Sequence, residues 1–324
     1  MPRTLPVLAA ACAAAAVLVG LAYRRDIGEA RAQVASGSRM ADTPCGPIEY
    51  AEAGSGAPVL VVHGAGGGFD QGLDLAQPLI AGGGFRVIAV SRFGYLRTPL
   101  PAGGSAAAQG DAHRCVLDAL KLERAGIVGF SAGAPSAMQL CLRHPDRCSA
   151  LVLVAPATFA PRLPGETQPE RPALLVRMMD ATLRSDFLFW AFTRLPRGIL
   201  LEALLGTPAK EFENGSPDER AAALQTLRHL LPMGMRAMGM QNDAAVVTSL
   251  PRYELERIGV PTLLISAEDD LFGTFPGARY TAEHIPGARF VGFRTGGHLL
   301  LGHGGEVAAE ITAFLGRQAT PPAR

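Results

Sequence analysis

Short runs of apolar residues recur along the chain at Val59 to Val62, Arg86 to Val90, Ile127 to Phe130, Leu151 to Val154, Thr262 to Ser266 and Arg289 to Phe293. Runs of this length, unbroken rather than alternating, predict strands covered on both faces. The stretches between them carry helical spacing, and strand alternating with helix predicts a mostly parallel sheet with helices on both faces. Ahead of these runs, Gly46 to Ala53 and a short strand around Ser38 to Met40 read as a hairpin, which brings the sheet to eight strands. Between Pro156 and Leu250 the strand rhythm stops, and helical stretches such as Leu174 to Leu188 and Ala221 to Leu231 take over. Residues 157–250 are therefore expected as a helical insertion in one core made of residues 44–156 and 251–317.

The amino terminus breaks the pattern. Leu5 through Tyr23 carries no charge and is flanked by Arg3 on one side and Arg24 and Arg25 on the other. At a helical rise of about 1.5 Å per residue this segment spans about the thickness of a bilayer core. A secretory signal would be cut after Ala30-Arg31-Ala32, which would leave a secreted or periplasmic protein. That site lies well past the apolar run and behind two arginines, so the expectation is a retained single-pass membrane anchor over 1–25 and a linker over 26–43.

Composition narrows the partners. A chain of 324 residues with 48% hydrophobic content can bury a full α/β core plus an insertion. Its net charge of +1, without a basic patch interleaved with aromatics, disfavours nucleic acid. The histidines at 63, 113, 144, 229, 284, 298 and 303 lie on different elements without zinc spacing, so no metal is implied. The cysteines, Cys12, Cys45, Cys115, Cys141 and Cys148, are odd in number and lack framework spacing; they read mostly as buried small hydrophobes. Cys141 and Cys148 could pair only if the turn at His144-Pro145-Asp146 folds them together, and the unpaired reading is preferred.

The chemistry sits at the ends of the apolar runs. Gly129-Phe130-Ser131-Ala132-Gly133 links a strand to a helix, where small residues permit a sharp turn that lifts Ser131 Oγ toward a substrate. The Ala132 N–H then falls at a helix start, where unpaired amides can stabilise an oxyanion. About seventy residues upstream, Val59 to Val62 runs into His63-Gly64-Ala65-Gly66-Gly67-Gly68, a loop in which Ala65 can offer a second amide. A phosphate cradle is the rival reading of that loop, but no Lys-Ser/Thr ending follows it. Ser266-Ala267-Glu268-Asp269-Asp270 places acids at the carboxyl end of a strand, with Asp270 the first choice and Glu268 and Asp269 its competitors. Gly296-Gly297-His298 follows the last strand and can carry an imidazole over the serine.

With Ser131, Asp270 and His298 in that order, the chain resembles the α/β-hydrolase family over about residues 44 to 317. The resemblance implies an α/β-hydrolase fold in which residues 157–250 form a helical cap. It also implies a serine nucleophile with His298 as base and Asp270 as its orienting acid. Branches that use an aspartate nucleophile, such as haloalkane dehalogenases and epoxide hydrolases, differ at position 131. Relatives with the acid after the strand that follows the nucleophile helix differ too, since Leu151 to Val154 runs into Ala155-Pro156-Ala157. The implied activity is cofactor-free hydrolysis of a carboxylic ester or lactone of a small to medium apolar substrate through an acyl-enzyme. Alternatives are a C–C bond hydrolase or cofactor-free perhydrolase on the same residues, or a membrane-tethered binder of a small apolar ligand without turnover. Apolar insertion residues, among them Phe187, Phe189, Phe192 and Met240, suggest a hydrophobic pocket, for which Gly66, Trp190, Met238 and Asn242 are the expected wall residues.

Overall fold

The computed structural model describes residues 4–161, 177 and 181–319. Its sheet is built from β1 (Arg39–Thr43), β2 (Gly46–Gly54), β3 (Ala57–Val62), β4 (Phe85–Val90), β5 (Ala125–Phe130), β6 (Cys148–Val154), β7 (Thr262–Ala267) and β8 (Arg289–Phe293). These form one sheet in the order β1-β2-β4-β3-β5-β6-β7-β8. β1 and β2 pair antiparallel, β2 joins β4 antiparallel, and every later pair is parallel. The continuous apolar runs have a simple cause. Leu60 and Val62 of β3 face one layer, with Ala112 and Val116 of α4 (Ala106–Ala119) and Ala137 and Leu140 of α5 (Ala134–Arg143). Val59 and Val61 face the other, with Leu79 of α3 (Gln77–Ala81) and Ile311 and Phe314 of α12 (Gly304–Ala319).

The chain passes from β3 outward to β4 and then returns across β3 to β5. Strand order therefore reverses between β3 and β5, and the loops leaving their carboxyl ends diverge to form a crevice. Over this crevice lies a cap-like helical region: α6 (Asp186–Phe192), α7 (Arg197–Leu205), α8 (Ala209–Asn214), α9 (Pro217–Arg228) and α10 (Ala237–Thr248). It has a core of its own, centred on Phe189, Leu201, Ala223, Leu227 and Met233, and closes on Leu301 of the main body. The helix expected at 174–188 falls in part outside the described residues.

The anchor expectation is corrected. α1 (Thr4–Ala35) is one helix that continues through Arg24, Arg25 and Asp26, and among the described residues no helix is long and apolar enough to cross a membrane. Residues 1–3 and the side chains of 4–9, which the expected anchor includes, lie outside the described residues. The later turns of α1 dock on the cap region instead. Tyr23 packs edge-on against Phe187 and Trp190, the Trp190 indole N–H donates to Asp26 at 2.9 Å, and Arg31 pairs with Asp186 at 2.9 Å. Ile27 and Val34 are buried, and β1 begins at Arg39, so residues 26–43 are helix and strand where a linker was expected.

The cysteine reading is corrected as well. Cys45 bonds to Cys115 and Cys141 to Cys148, leaving Cys12 free. A 3₁₀ turn at Pro145–Arg147 folds the end of α5 back to β6 and brings the Cys141 and Cys148 Cα atoms to 5.6 Å.

Candidate active site

At the end of β5 the backbone turns sharply: Ser131 has φ +48° and opens a 3₁₀ turn leading into α5. A side chain at that φ is strained, and the glycines two positions to either side make the turn possible by having none. A Cβ on Gly133 would lie 2.4 Å from the His63 carbonyl oxygen, and one on Gly129 would lie 2.8 Å from Ala137 Cβ. The Ala157 N–H donates to the Ser131 carbonyl at 3.0 Å, tying the turn to the chain after β6. Ala132 is buried in the first turn, where N–H groups have no partner within the helix.

The loop after β3 is fixed by groups that the sequence reading did not single out. His63 is fully buried; its Nδ1–H donates to the Gly64 carbonyl at 2.6 Å, and its Nε2 accepts the Arg92 N–H at 3.0 Å. That pair of partners selects one neutral tautomer. Burial, followed by the nearby Arg92 charge, pushes the His63 imidazole well below its ordinary range. The Gly64 N–H donates to Gln71 Oε1 at 3.2 Å, and the Gly66 N–H donates to Tyr95 Oη at 3.2 Å. The amides on either side of Ala65 are therefore occupied, while Ala65 itself faces the cavity that also holds Ser131.

α10 clamps this loop from above. Asp243 pairs with the Arg92 guanidinium at 2.5 Å and accepts the Tyr95 hydroxyl at 2.5 Å. Burial alone would lower the Arg92 pKa, but the Asp243 charge and hydrogen bonds outweigh it and raise it. Arg236, at the helix start, donates to the Gly67 carbonyl at 2.5 Å and to Asp70 at 2.6 Å. No short-range pattern links positions 92, 95, 236 and 243, which is why periodicity could not find them.

The three acids after β7 separate clearly. Glu268 is exposed, and Asp269 accepts the Gly297 N–H at 2.8 Å. Asp270 is the one that reaches the imidazole, accepting from His298 Nδ1 at 2.8 Å. It also accepts the Phe272 N–H at 2.8 Å and the Thr274 hydroxyl. Burial disfavours its ionised form, but the His298 hydrogen bond and charge, with these two donors, outweigh burial and hold the carboxyl below its ordinary range. Both loops are braced by the turn after α7. Gly206 O accepts the N–H of Leu271 at 2.9 Å and of His298 at 3.2 Å, and Thr207 Oγ1 accepts the Leu299 N–H at 3.1 Å. The Phe272 ring meets the imidazole edge-on at 4.8 Å.

Ser131, Ala65 and His298 open into one cavity of about 900 Å³, at the upper end of the size range of small-molecule sites. Its walls are overwhelmingly apolar. A model of the α/β hydrolase fold matches residues 57–304 of the chain. The chain belongs to the α/β-hydrolase family. This hydrolase is similar to an alpha/beta hydrolase fold protein from Nakamurella multipartita, with TM-score 0.71 and 31% identity covering 87% of this chain and 99% of that one. It is 24% identical over 278 residues to the Uncharacterized hydrolase YcgS of Bacillus subtilis strain 168, covering 83% of this chain and 94% of the relative. It is also 37% identical over 110 residues to the 2-hydroxymuconate semialdehyde hydrolase of Pseudomonas sp. strain CF600, covering 33% of this chain and 38% of that one.

The expected wall residues are corrected by the geometry. Trp190 points away from the cavity to Tyr23 and Asp26 of α1, Met238 is 57% exposed, and the Asn242 amide donates to the Gly104 carbonyl at 2.9 Å. Gly66 lies under Leu230, where a Cβ would come within 2.5 Å of Leu230 Cδ2, so it shapes the loop without lining the cavity. Phe189, Phe192 and Met240 do line it, and so do Leu204, Leu205 and Leu230.

Proposed function

We propose that this hydrolase cleaves a carboxylic ester or lactone with an apolar acyl group through an acyl-enzyme on Ser131. The observation that carries the reading is the 2.8 Å bond from His298 Nδ1 to Asp270, because it directs the other imidazole nitrogen toward the cavity that holds Ser131. His298 Nε2 takes the Ser131 proton as Oγ adds to the carbonyl carbon, and Asp270 stabilises the imidazolium that forms. The tetrahedral oxyanion accepts the N–H groups of Ala65 and Ala132. The tetrahedral centre then expels the alkoxide, which leaves as the alcohol with the proton from His298. Water activated by the same nitrogen releases the acid.

C–C bond hydrolysis is the second reading, favoured by the stretch similar to the semialdehyde hydrolase. Substrates of the dienoate type are anionic, and a buried anion needs a paired cation. Among the described residues the cavity wall contains Asp74 and Glu219 but no Lys or Arg, which supports an uncharged ester over such an anion. The test is labelling with a fluorophosphonate followed by peptide mapping, alongside hydrolysis of p-nitrophenyl butanoate by wild type and Ser131→Ala. Label on Ser131 and loss of turnover in the variant are expected. Full activity in Ser131→Ala would overturn the assignment.

A further inference from the structure

The cavity does not stop beneath the cap. One arm runs between Phe189, Phe192 and Leu230 of the helical region. The other descends past the Ala65 loop to the α12 face of the sheet, floored by Val61, Val128 and Val154. Along that arm, α12 presents Gly304, Val307, Ala308 and Ile311, one stripe at i, i+3, i+4 and i+7. The opposite wall comes from the segment spanning Leu75 to Leu79. Small side chains keep the arm open, since any residue larger than Ala308 at that point of the stripe would project into it.

The two sides of the site differ in their walls. The alcohol leaves beside His298, and that side is bounded by Phe272, which is 50% exposed. The acyl group stays covalently attached to Ser131 after the alcohol has gone and requires a site that is held and dry. The sheet-side arm supplies apolar walls for it below the Glu219 carboxylate, which accepts the Gly304 N–H at 2.9 Å at the head of the arm. From Gly304 to Ile311 it follows seven residues of α12, which at the helical rise is about 10 Å. An extended chain advances about 1.2 Å per bond, which converts that length to about eight carbons.

We propose, on the ester-hydrolase reading above, that the sheet-side arm is an acyl-chain site and that the substrates are esters of unbranched aliphatic acids of medium length. Ala308 and Ile311 set the length. An acetyl or propionyl group would leave this arm empty, and a rigid branched or aromatic acid would not follow it.

The experiment is a chain-length series of p-nitrophenyl esters from acetate to decanoate, kept below their micellar concentrations, on wild type, Ala308→Trp and Ile311→Ala. In wild type kcat/KM should rise about twofold to fourfold per methylene, up to an optimum near octanoate. Ala308→Trp should move the optimum to butanoate or shorter, and Ile311→Ala should move it to longer chains. Opposite shifts in the two variants cannot come from general loss of folding. In parallel, calorimetric binding of octanamide to Ser131→Ala, with and without Ala308→Trp, reads the arm without turnover. About a 250-fold weakening by the tryptophan is expected from four lost methylene contacts at about fourfold each. If no ester is cleaved but octanamide binds and is blocked by Ala308→Trp, the hydrolytic reading fails and the arm stands. If esters are cleaved fastest at acetate, or both variants keep the wild-type profile, the arm proposal is overturned.

Discussion

Lowering the pH from neutral toward 5 should destabilise this protein through two histidines that the fold keeps uncharged. His63 and His113 are both fully buried. The Nε2 of His63 faces an N–H donor, that of Arg92, so a proton there would meet another proton. His113 Nε2 lies 3.1 Å from Ser136 Oγ, which itself donates to the Gly133 carbonyl, and His113 Nδ1 is buried with no hydrogen-bond partner among the described residues. A proton on that nitrogen would be a buried donor without an acceptor. Burial, then the Arg92 charge, depress both groups from the ordinary 6.5, His63 well below it and His113 to about 3. The unfolded chain binds protons that the folded chain refuses, so their stabilisation is complete above pH 6.5 and is lost as the pH falls below it. With an unfolded value of about 6.5 and a folded value of about 3, His113 costs about 2 kcal/mol between pH 7 and pH 5, and His63 adds to that loss in the same direction. That is a large share of the about 5–15 kcal/mol that holds a domain together. Urea unfolding at both pH values measures it, and His113→Gln supplies the control, because an amide can still donate to Ser136 but does not titrate. The variant should lose about 2 kcal/mol less than wild type over the same interval. Equal losses in the two proteins would refute the claim that His113 is held neutral. The His63 share should carry activity with it, since that ring fixes the Gly64 carbonyl beside Ala65.

Three further outcomes follow from the contacts described. Asp270→Asn should keep the fold while slowing ester turnover by about 10⁴, because the amide favours the wrong imidazole tautomer; a loss smaller than tenfold in kcat would remove Asp270 from its orienting role. Arg236→Met leaves Asp70 buried without its cation, and a fall of about 3–5 kcal/mol in urea stability is expected, largely restored by adding Asp70→Leu. Replacing Cys45 and Cys115 by serine opens a loop of 70 residues, and thermal unfolding should report a loss of about 4 kcal/mol by the chain-entropy relation; an unchanged melting temperature would show that the bond adds nothing in solution.

Much of the architecture was written locally. β3 reads as a buried strand because residues on both of its faces, Val59 and Val61 as well as Leu60 and Val62, meet helices. The turn at Ser131 was legible for a similar reason, since a positive φ beside close backbone requires small neighbours at fixed spacing, and Gly129 and Gly133 supply them. The order of Ser131, Asp270 and His298 pointed to the family, and the match over residues 57–304 establishes it.

What local pattern could not carry was the direction in which a face turns. Trp190 has the same helical phase whether it looks into a cavity or out to Tyr23, and only docking of α1 decides that it looks out. The same docking turns an uncharged amino-terminal run into part of a longer helix packed against the cap region. Three adjacent acids are equivalent in composition, and the turn that lets Phe272 and Thr274 donate to Asp270 is what brings that one to His298. Asp243 lies about 150 positions from Arg92 and Tyr95 and meets them only because α10 closes over the β3 loop. Spacing along a chain determines period and turn chemistry over a few residues, whereas the partner of a given face is chosen by long-range packing.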